Sequence, residues 1–542
     1  MALAMLISTN VATFAGGILT NTNQSVLFLR NPARDGAIGL DGVYSNPAGV
    51  LFLGEGFHLG FNWQYARQTR TITSQNPLYT LGYKNDNLAD KIFKGVANAP
   101  FIPSLQAAYN TGDWSFQFNF SVPGGGGKCE FDHGVGTFEK AVGAIAQRLI
   151  GVSSTLNEQL KPLGASVPSV TGYDMDAYMK GQQFYFGFQI GAARKINDNL
   201  SVYGGLRLLY GTASYEARMN NIRVMDGQNG ISLPQYFEGV INGIVNARTN
   251  ISGNQQKVQA GIQQYVNAYM AAGMTQEQAM QMPEVQQLTA TSQQLQDADT
   301  KLKAAGDEIT SSAEALAPYA NGMNLKSDQS GWGIAPVIGI DYKIGNLNLA
   351  AKYEFKTRMR MKNNSTLEEA SVVAATNKYI DGTSVPEDAP ALLALGAQWS
   401  VTDAVRLNLG YHHFFDKSAH WYQHSEKDLD SETNEYLAGA EWDITKRLQV
   451  SGGAQLTRYG LSDKFMNDMS FVVNSWTFGL GIGYQVTDNV KINAAYFQTN
   501  YDNYDMDTPA QSIAGMGLEI PAGHDSFTRT NKVIGLGVEI TL

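Results

Sequence analysis

The sequence predicts an all-β transmembrane protein: an antiparallel outer-membrane β-barrel of about fourteen strands, with an N-terminal plug and helical extracellular insertions. Three observations predict it. Segments alternate apolar and polar side chains, the period-two pattern of a strand with one greasy and one polar face. The connections between them alternate between tight turns and long loops. An irregular, Gly-rich coil precedes the first strand.

Composition sets the bounds. The 542 residues include 56 Gly, 26 Tyr and 24 Phe, while charged residues make only 16%, a balance that suits a large β protein. A net charge of -10 argues against a nucleic-acid partner, which needs a basic surface. The single cysteine, Cys129, excludes an intramolecular disulfide. Residues 1–15 open on the apolar run 2–7 and read as a truncated signal peptide lacking its basic start, or alternatively as a buried N-terminal segment. No transmembrane helix is visible beyond them.

Residues 16–54 form the plug. Two Asn-Pro-Ala triplets, Asn31-Pro32-Ala33 and Asn46-Pro47-Ala48, break helix and strand alike. Two apolar runs, Val26–Leu29 and Val50–Leu53, need burial, so the coil is not a free tail. The barrel spans 55–542. Its first strand alternates Phe57, Leu59, Phe61, Trp63 and Tyr65 against His58, Gly60, Asn62 and Gln64. The same pattern returns at Trp114–Val122, Phe184–Ile190, Trp332–Tyr342, Leu393–Trp399, Trp476–Tyr484 and Ile534–Leu542.

Six connections are tight: Asn110–Asp113, Ile196–Asn199, Gly345–Asn346, Thr402–Ala404, Thr445–Arg447 and Thr487–Asn489. Seven are long, near 68–100, 131–181, 219–330, 362–390, 416–434, 461–472 and 501–526. Short periplasmic turns alternating with long outer loops mark an outer-membrane barrel, and a sheet in hydrocarbon must close. Fourteen strands enclose a lumen too wide for small inward side chains to fill. The coil before the first strand is placed to fill it.

Asn46-Pro47-Ala48 leading into an aromatic first strand, after a Gly-rich coil and before thirteen further strands, resembles the FadL/TodX family of outer-membrane transporters. The resemblance spans nearly the whole chain. It implies a hatch-plugged barrel that takes up long-chain fatty acids or other hydrophobic compounds. Ligand would be captured at helical extracellular loops and released sideways at a kink in the third strand. Outer-membrane lipid would be its surroundings, and a monomer its state. Two positions depart from the family: its basic lumen residue late in the fifth strand falls at Thr212, and the chain ends on Leu542.

The third strand supports a kink independently. After Val122 come Pro123, Gly124, Gly125, Gly126 and Gly127, where the proline lacks a ladder donor and the glycines lack packing side chains. The run bends or opens the wall, or else simply begins the outer loop. The insertions at about 131–181 and 219–330 carry helical spacing at 134–160 and 232–318, either a ligand-receiving cap or helices packed on each other.

In the seventh strand, Leu349, Ala351, Tyr353 and Phe355 read as lipid-facing. That alternation puts Lys352, Glu354, Lys356, Arg358 and Arg360 in the lumen, with Arg207 and Arg406 inward on other strands. Such a basic ladder suits a carboxylate ligand, or pairs internally with Glu354, Asp35 and Asp41. His412, His413, His420 and His424 read as ordinary surface residues and not as a metal site, and no cofactor motif is present. No nucleophile or zinc-hydrolase pattern appears, so the chain reads as a non-enzyme. A transporter for hydrophobic compounds and a scaffold presenting its loops as a surface adhesin or receptor both remain open.

Overall fold

The computed structural model describes residue 18 and residues 20–317, 322–367, 378–513 and 517–542. The signal segment 1–15 lies outside them, as do plug residues 16, 17 and 19.

Fourteen antiparallel strands close into one barrel. In chain order they are β1 Gly56–Gln75, β2 Asp90–Thr111, β3 Trp114–Phe131, β4 Gly172–Asn197, β5 Leu200–Asp226 and β6 Met323–Ile344. Strand β7 comes in two pieces, Leu347–Glu354 and Arg360–Leu367. The rest are β8 Leu392–Ser400, β9 Val405–Phe414, β10 Thr433–Asp443, β11 Leu448–Arg458, β12 Ser475–Thr487, β13 Val490–Tyr501 and β14 Gly523–Thr541. Each strand pairs with the next, and β1 pairs with β14 from His58↔Thr541 to Gln75↔His524. Closure removes the free edge that hydrocarbon would penalise.

The predicted alternation is present in three dimensions. Phe61, Phe116, Ile190, Trp332, Leu409, Trp476 and Leu536 are exposed on the outer wall. Asn62, Gln106, Asn119, Gln189, Asn408 and Asn493 are buried inside it. An apolar belt over a polar interior fits a bilayer-spanning barrel. The strands β1, β2, β4 and β5 run further than the apolar alternation showed, because above the belt their outward side chains turn polar, as at Arg67, Thr69 and Thr71.

The plug fills the lumen. Ser25 caps the short helix α1, Val26–Arg30, its hydroxyl accepting from Phe28 N at 3.1 Å. The motif Asn46-Pro47-Ala48 docks residue by residue. Asn46 Nδ2 donates to Asp341 Oδ2 at 2.6 Å, and Pro47 O and Ala48 O accept from Gln117 and Ser201, each at 2.7 Å. The wall makes room with glycine: a Cβ on Gly396 would lie 2.1 Å from Gly36 N, and one on Gly479 would lie 2.1 Å from Leu29 O. These contacts explain part of the glycine abundance.

Helix α2, Gly136–Leu160, lies over the outer mouth with Phe138, Val142, Ile145 and Leu149 buried, as the helical spacing predicted. Helices α3, Leu233–Ala271, and α4, Pro283–Leu316, form an antiparallel hairpin. At 1.5 Å per residue each is roughly 50–60 Å long. Among the described residues no helix is long and apolar enough to cross a membrane.

A buried cluster of ions centred on Arg34 ties plug to wall. Arg34 clamps Asp41 at 2.7 and 3.0 Å and also pairs with Glu441 of β10. Removing one member of a buried pair strands the others and costs about 3–5 kcal/mol. Arg34→Gln is therefore expected to lower the barrel's thermal unfolding temperature clearly, whereas the double change Arg34→Gln with Glu441→Gln recovers part of the loss, as measured by heat-modified gel migration.

Candidate functional site: a gap in the wall and the cavity behind it

The strand β3 pairs with β2 from Thr111↔Trp114 to Leu105↔Phe120, then not again until Asn98↔Lys128. Residues 99–104 of β2 and 121–127 of β3 thus face each other without a ladder. Proline is the cause on both edges. Pro123 lacks an N–H on β3, and Pro100 and Pro103 lack theirs on β2. The pairing of β1 with β2 slips at the same level, between Gln64 and Ala66. Against β4, β3 shifts register between Ser121 and Gly124 and again between Gly125 and Gly127. Gly125 has φ +93°, and a Cβ there would lie 2.3 Å from Gln183 O, so this turn of the chain requires glycine.

The carbonyls freed by the gap find partners. Asn21 N donates to Pro123 O at 2.8 Å, and Thr20 forms an antiparallel bridge with Gly124. Gln24 Nε2 reaches Val122 O at 3.3 Å. The Trp63 indole donates to Pro100 O at 3.0 Å. The plug's leading segment therefore replaces, from inside, part of the strand pairing that β2 cannot supply.

Behind the gap lies a cavity of about 110 Å³. Ala97, Ala99, Ile102, Val122, Gly125 and Phe184 line its wall side, and Phe28, Phe497, Gln64, Gln68 and Thr499 its lumen side. Among the described residues no charged one lines it, and its lining is mixed, with uncharged polar residues such as Asn21, Gln455, Thr457 and Asn531 beside the apolar ones.

The basic ladder is only partly where the alternation put it. Lys352 and Arg207 do face the lumen, but both pair with Glu354, Lys352 at 2.8 Å, and both lie over the Tyr44 ring of the plug, at 4.3 and 4.9 Å. Arg406 faces inward at the turn end, held by Asp443 at 2.8 Å and Glu441 at 3.3 Å. Lys356 is half-buried and donates to Ser418 O at 2.7 Å. Arg358 and Arg360 are exposed, which corrects their placement in the lumen. The reason is a bulge. Between Val337↔Glu354 and Ser330↔Lys362, residues 331–336 of β6 stand opposite 355–361 of β7, one residue more, and that single residue flips every following side chain. Thr212, on β5, lies outside the lumen face that carries Arg207.

The histidine reading also needs correction at one position. His412 is buried, with Nε2 3.0 Å from Asp35 of the plug and Nδ1 2.8 Å from Glu435. Its ring joins plug and wall. Among the described residues no group of His, Cys, Asp and Glu is placed to hold a metal ion. What sequence reasoning missed is the pair Pro100 and Pro103, whose signal was present: two prolines within an otherwise strand-like run, facing Pro123.

No family model matches the chain, and no curated protein matches it. Among solved structures it is similar to the crystal structure of a Pseudomonas aeruginosa FadL homologue, with a TM-score of 0.57 at 12% identity, over 97% of this chain and 100% of that one. It also aligns with the Ralstonia pickettii toluene transporter TbuX, with a TM-score of 0.47 at 12% identity, over 96% and 98% of the two chains. The chain thus has the fold of the FadL homologue, a plugged barrel of fourteen strands. The fold expected from the family resemblance is the fold observed.

Since Arg358 and Arg360 point away from the lumen, neutralising both to Gln is expected to leave binding of a hydrophobic probe within about twofold of the wild type, an exposed pair contributing roughly 0–1 kcal/mol even to stability. Fluorescence titration of the purified barrel checks this; a tenfold loss would restore them to the binding site.

Proposed function

We propose that this chain is a bacterial outer-membrane channel for long-chain fatty acids or other hydrophobic compounds, which leave sideways through the gap between β2 and β3. The observation that carries this reading is the coincidence of the interrupted ladder with an uncharged cavity directly behind it. A polar solute has no use for such a route, whereas an apolar one gains by passing from cavity to bilayer without crossing water.

The opposite exit is unfavourable for a greasy molecule. At the turn end a wide recess is lined by Arg34, Arg406, Lys446, Lys491, Glu441 and Asp443, and the plug with its buried ion pairs stands between it and the cavity. On the outer side, α2 and α4 enclose a second hollow of about 170 Å³ lined by Ile145, Leu149, Ala315, Leu316 and Leu518 and also by Arg148, Glu308, Ser311 and Ser312, an amphiphilic lining. This hollow supports capture at the surface, with the cavity behind the gap as the next station.

The test obstructs the gap. Gly125 is a poor place for it, because any side chain there strikes β4. Ala99 is better, being half-buried at the gap's other edge and part of the cavity lining. Ala99→Trp is expected to reduce cellular uptake of radiolabelled oleate or toluene by tenfold or more, on the order of the loss of an open path, with surface expression and thermal stability unchanged. Uptake at the wild-type rate through a correctly folded Ala99→Trp barrel would refute lateral release.

A further inference from the structure

The step in β7 sets three cations in a row on the outside of the barrel. Arg358, Arg360 and Lys362 are exposed, while Thr357, Met359, Met361 and Asn363 beside them are buried. Alternate residues of a strand share a face, so the three side chains follow one another at intervals of about 6.6 Å. Glycine on β6 makes room for the step. A Cβ on Gly333 would lie 2.4 Å from Arg358 O, and one on Gly331 would lie 2.4 Å from Arg360 O.

The outward side chains of β6 give the height of these cations in the membrane. From Tyr342 to Trp332 every second residue is apolar and exposed. That stretch rises roughly 33 Å along the strand, or about 25 Å along the membrane normal at a tilt near 40°, the height of the apolar band of an outer-membrane barrel. Trp332 and its register partner Tyr210 of β5 mark the outer edge of the band, and polar side chains follow from Ser330 outward. Lys362 pairs with Ser330, while Arg360 and Arg358 lie level with Gly331 and Gly333. The three cations therefore stand at the edge itself, where hydrocarbon gives way to headgroups. Of the carboxylates nearby, Asp388 meets Arg360 Nη1 at 3.4 Å from the buried side, and Asp328 lies further out, opposite Asn364. Long basic side chains are tolerated on a lipid face at this level, with their stems on apolar surface and their heads toward the polar layer.

We propose that Arg358, Arg360 and Lys362 bind the phosphate of an outer-leaflet lipid, whose acyl chains lie on the apolar belt against Ile334 and Phe355. Each guanidinium offers a pair of N–H donors to phosphate oxygens, and the ammonium adds a further charge. A free phosphate ion has no chains to lay on the belt, so the site favours the lipid. It lies on β7, apart from the gap between β2 and β3, and does not depend on the channel reading.

Native mass spectrometry of the full-length barrel in non-ionic detergent tests this, with a phosphorylated glucosamine-based lipid and the same lipid freed of phosphate as probes. Wild-type protein is expected to bind the phosphorylated probe roughly 10- to 100-fold more tightly, the combined effect of three cations at the headgroup. An equal concentration of inorganic phosphate is expected to leave that probe bound. The triple variant Arg358→Gln, Arg360→Gln, Lys362→Gln is expected to lose the preference, while it binds the phosphate-free probe as before and keeps its heat-modified gel migration. Equal affinity of the wild type for the two probes overturns the proposal without recourse to any variant. So does an undiminished preference in the folded triple variant. Displacement of the lipid by inorganic phosphate also overturns it and assigns the cations to a soluble anion.

Discussion

In hydrocarbon, a backbone N–H or C=O without a partner is so costly that a membrane sheet closes and bonds throughout. The wall of this barrel obeys that constraint over most of its length and departs from it in two places, the break in β7 opposite residues 331–336 of β6 and the stretch between β2 and β3. Three prolines, Pro100, Pro103 and Pro123, remove donors from facing edges of β2 and β3, and the ladder between them stops. The plug answers from inside: Asn21 and Gln24 donate to carbonyls of Pro123 and Val122, while Trp63 donates to Pro100 from the neighbouring strand. Part of the bonding that this stretch of wall lacks is therefore supplied by the plug.

Charge is distributed to match. Three groups of buried ions sit where the plug meets the wall, Arg34–Asp41–Glu441, Lys352–Glu354–Arg207 and Asp35–His412–Glu435. They fix the plug, and among the described residues no charged one lines the lateral cavity. Ion pairs of this kind contribute little net stability, but breaking one is expensive, so they hold the plug in its place.

Much of this was legible in the residues. Strand alternation, the alternation of turn and loop lengths, the plug and the third-strand kink all follow from local chemistry: period-two burial, and the limits of proline and glycine. The helices of the outer loops followed from apolar spacing as well. What was not legible depended on long-range register. One extra residue in β7 sent Arg358 and Arg360 outward, and no local pattern around Phe355–Met359 announces a bulge. His412 looked like its neighbours on the sequence, and only the approach of Asp35, far away in the chain, makes it a buried link.

The central claim is that an apolar molecule meets the bilayer between β2 and β3. Crystals of the barrel grown with 1-bromododecane would locate the molecule by the anomalous scattering of bromine, without assumptions about the shape of the density. The account predicts a bromine peak in the cavity bounded by Ala99, Ile102, Val122 and Phe184, or in the gap itself. Bromine found instead among Arg406, Lys446 and Lys491 at the turn end, with the cavity behind the gap empty, would contradict it and point to passage straight through the plug.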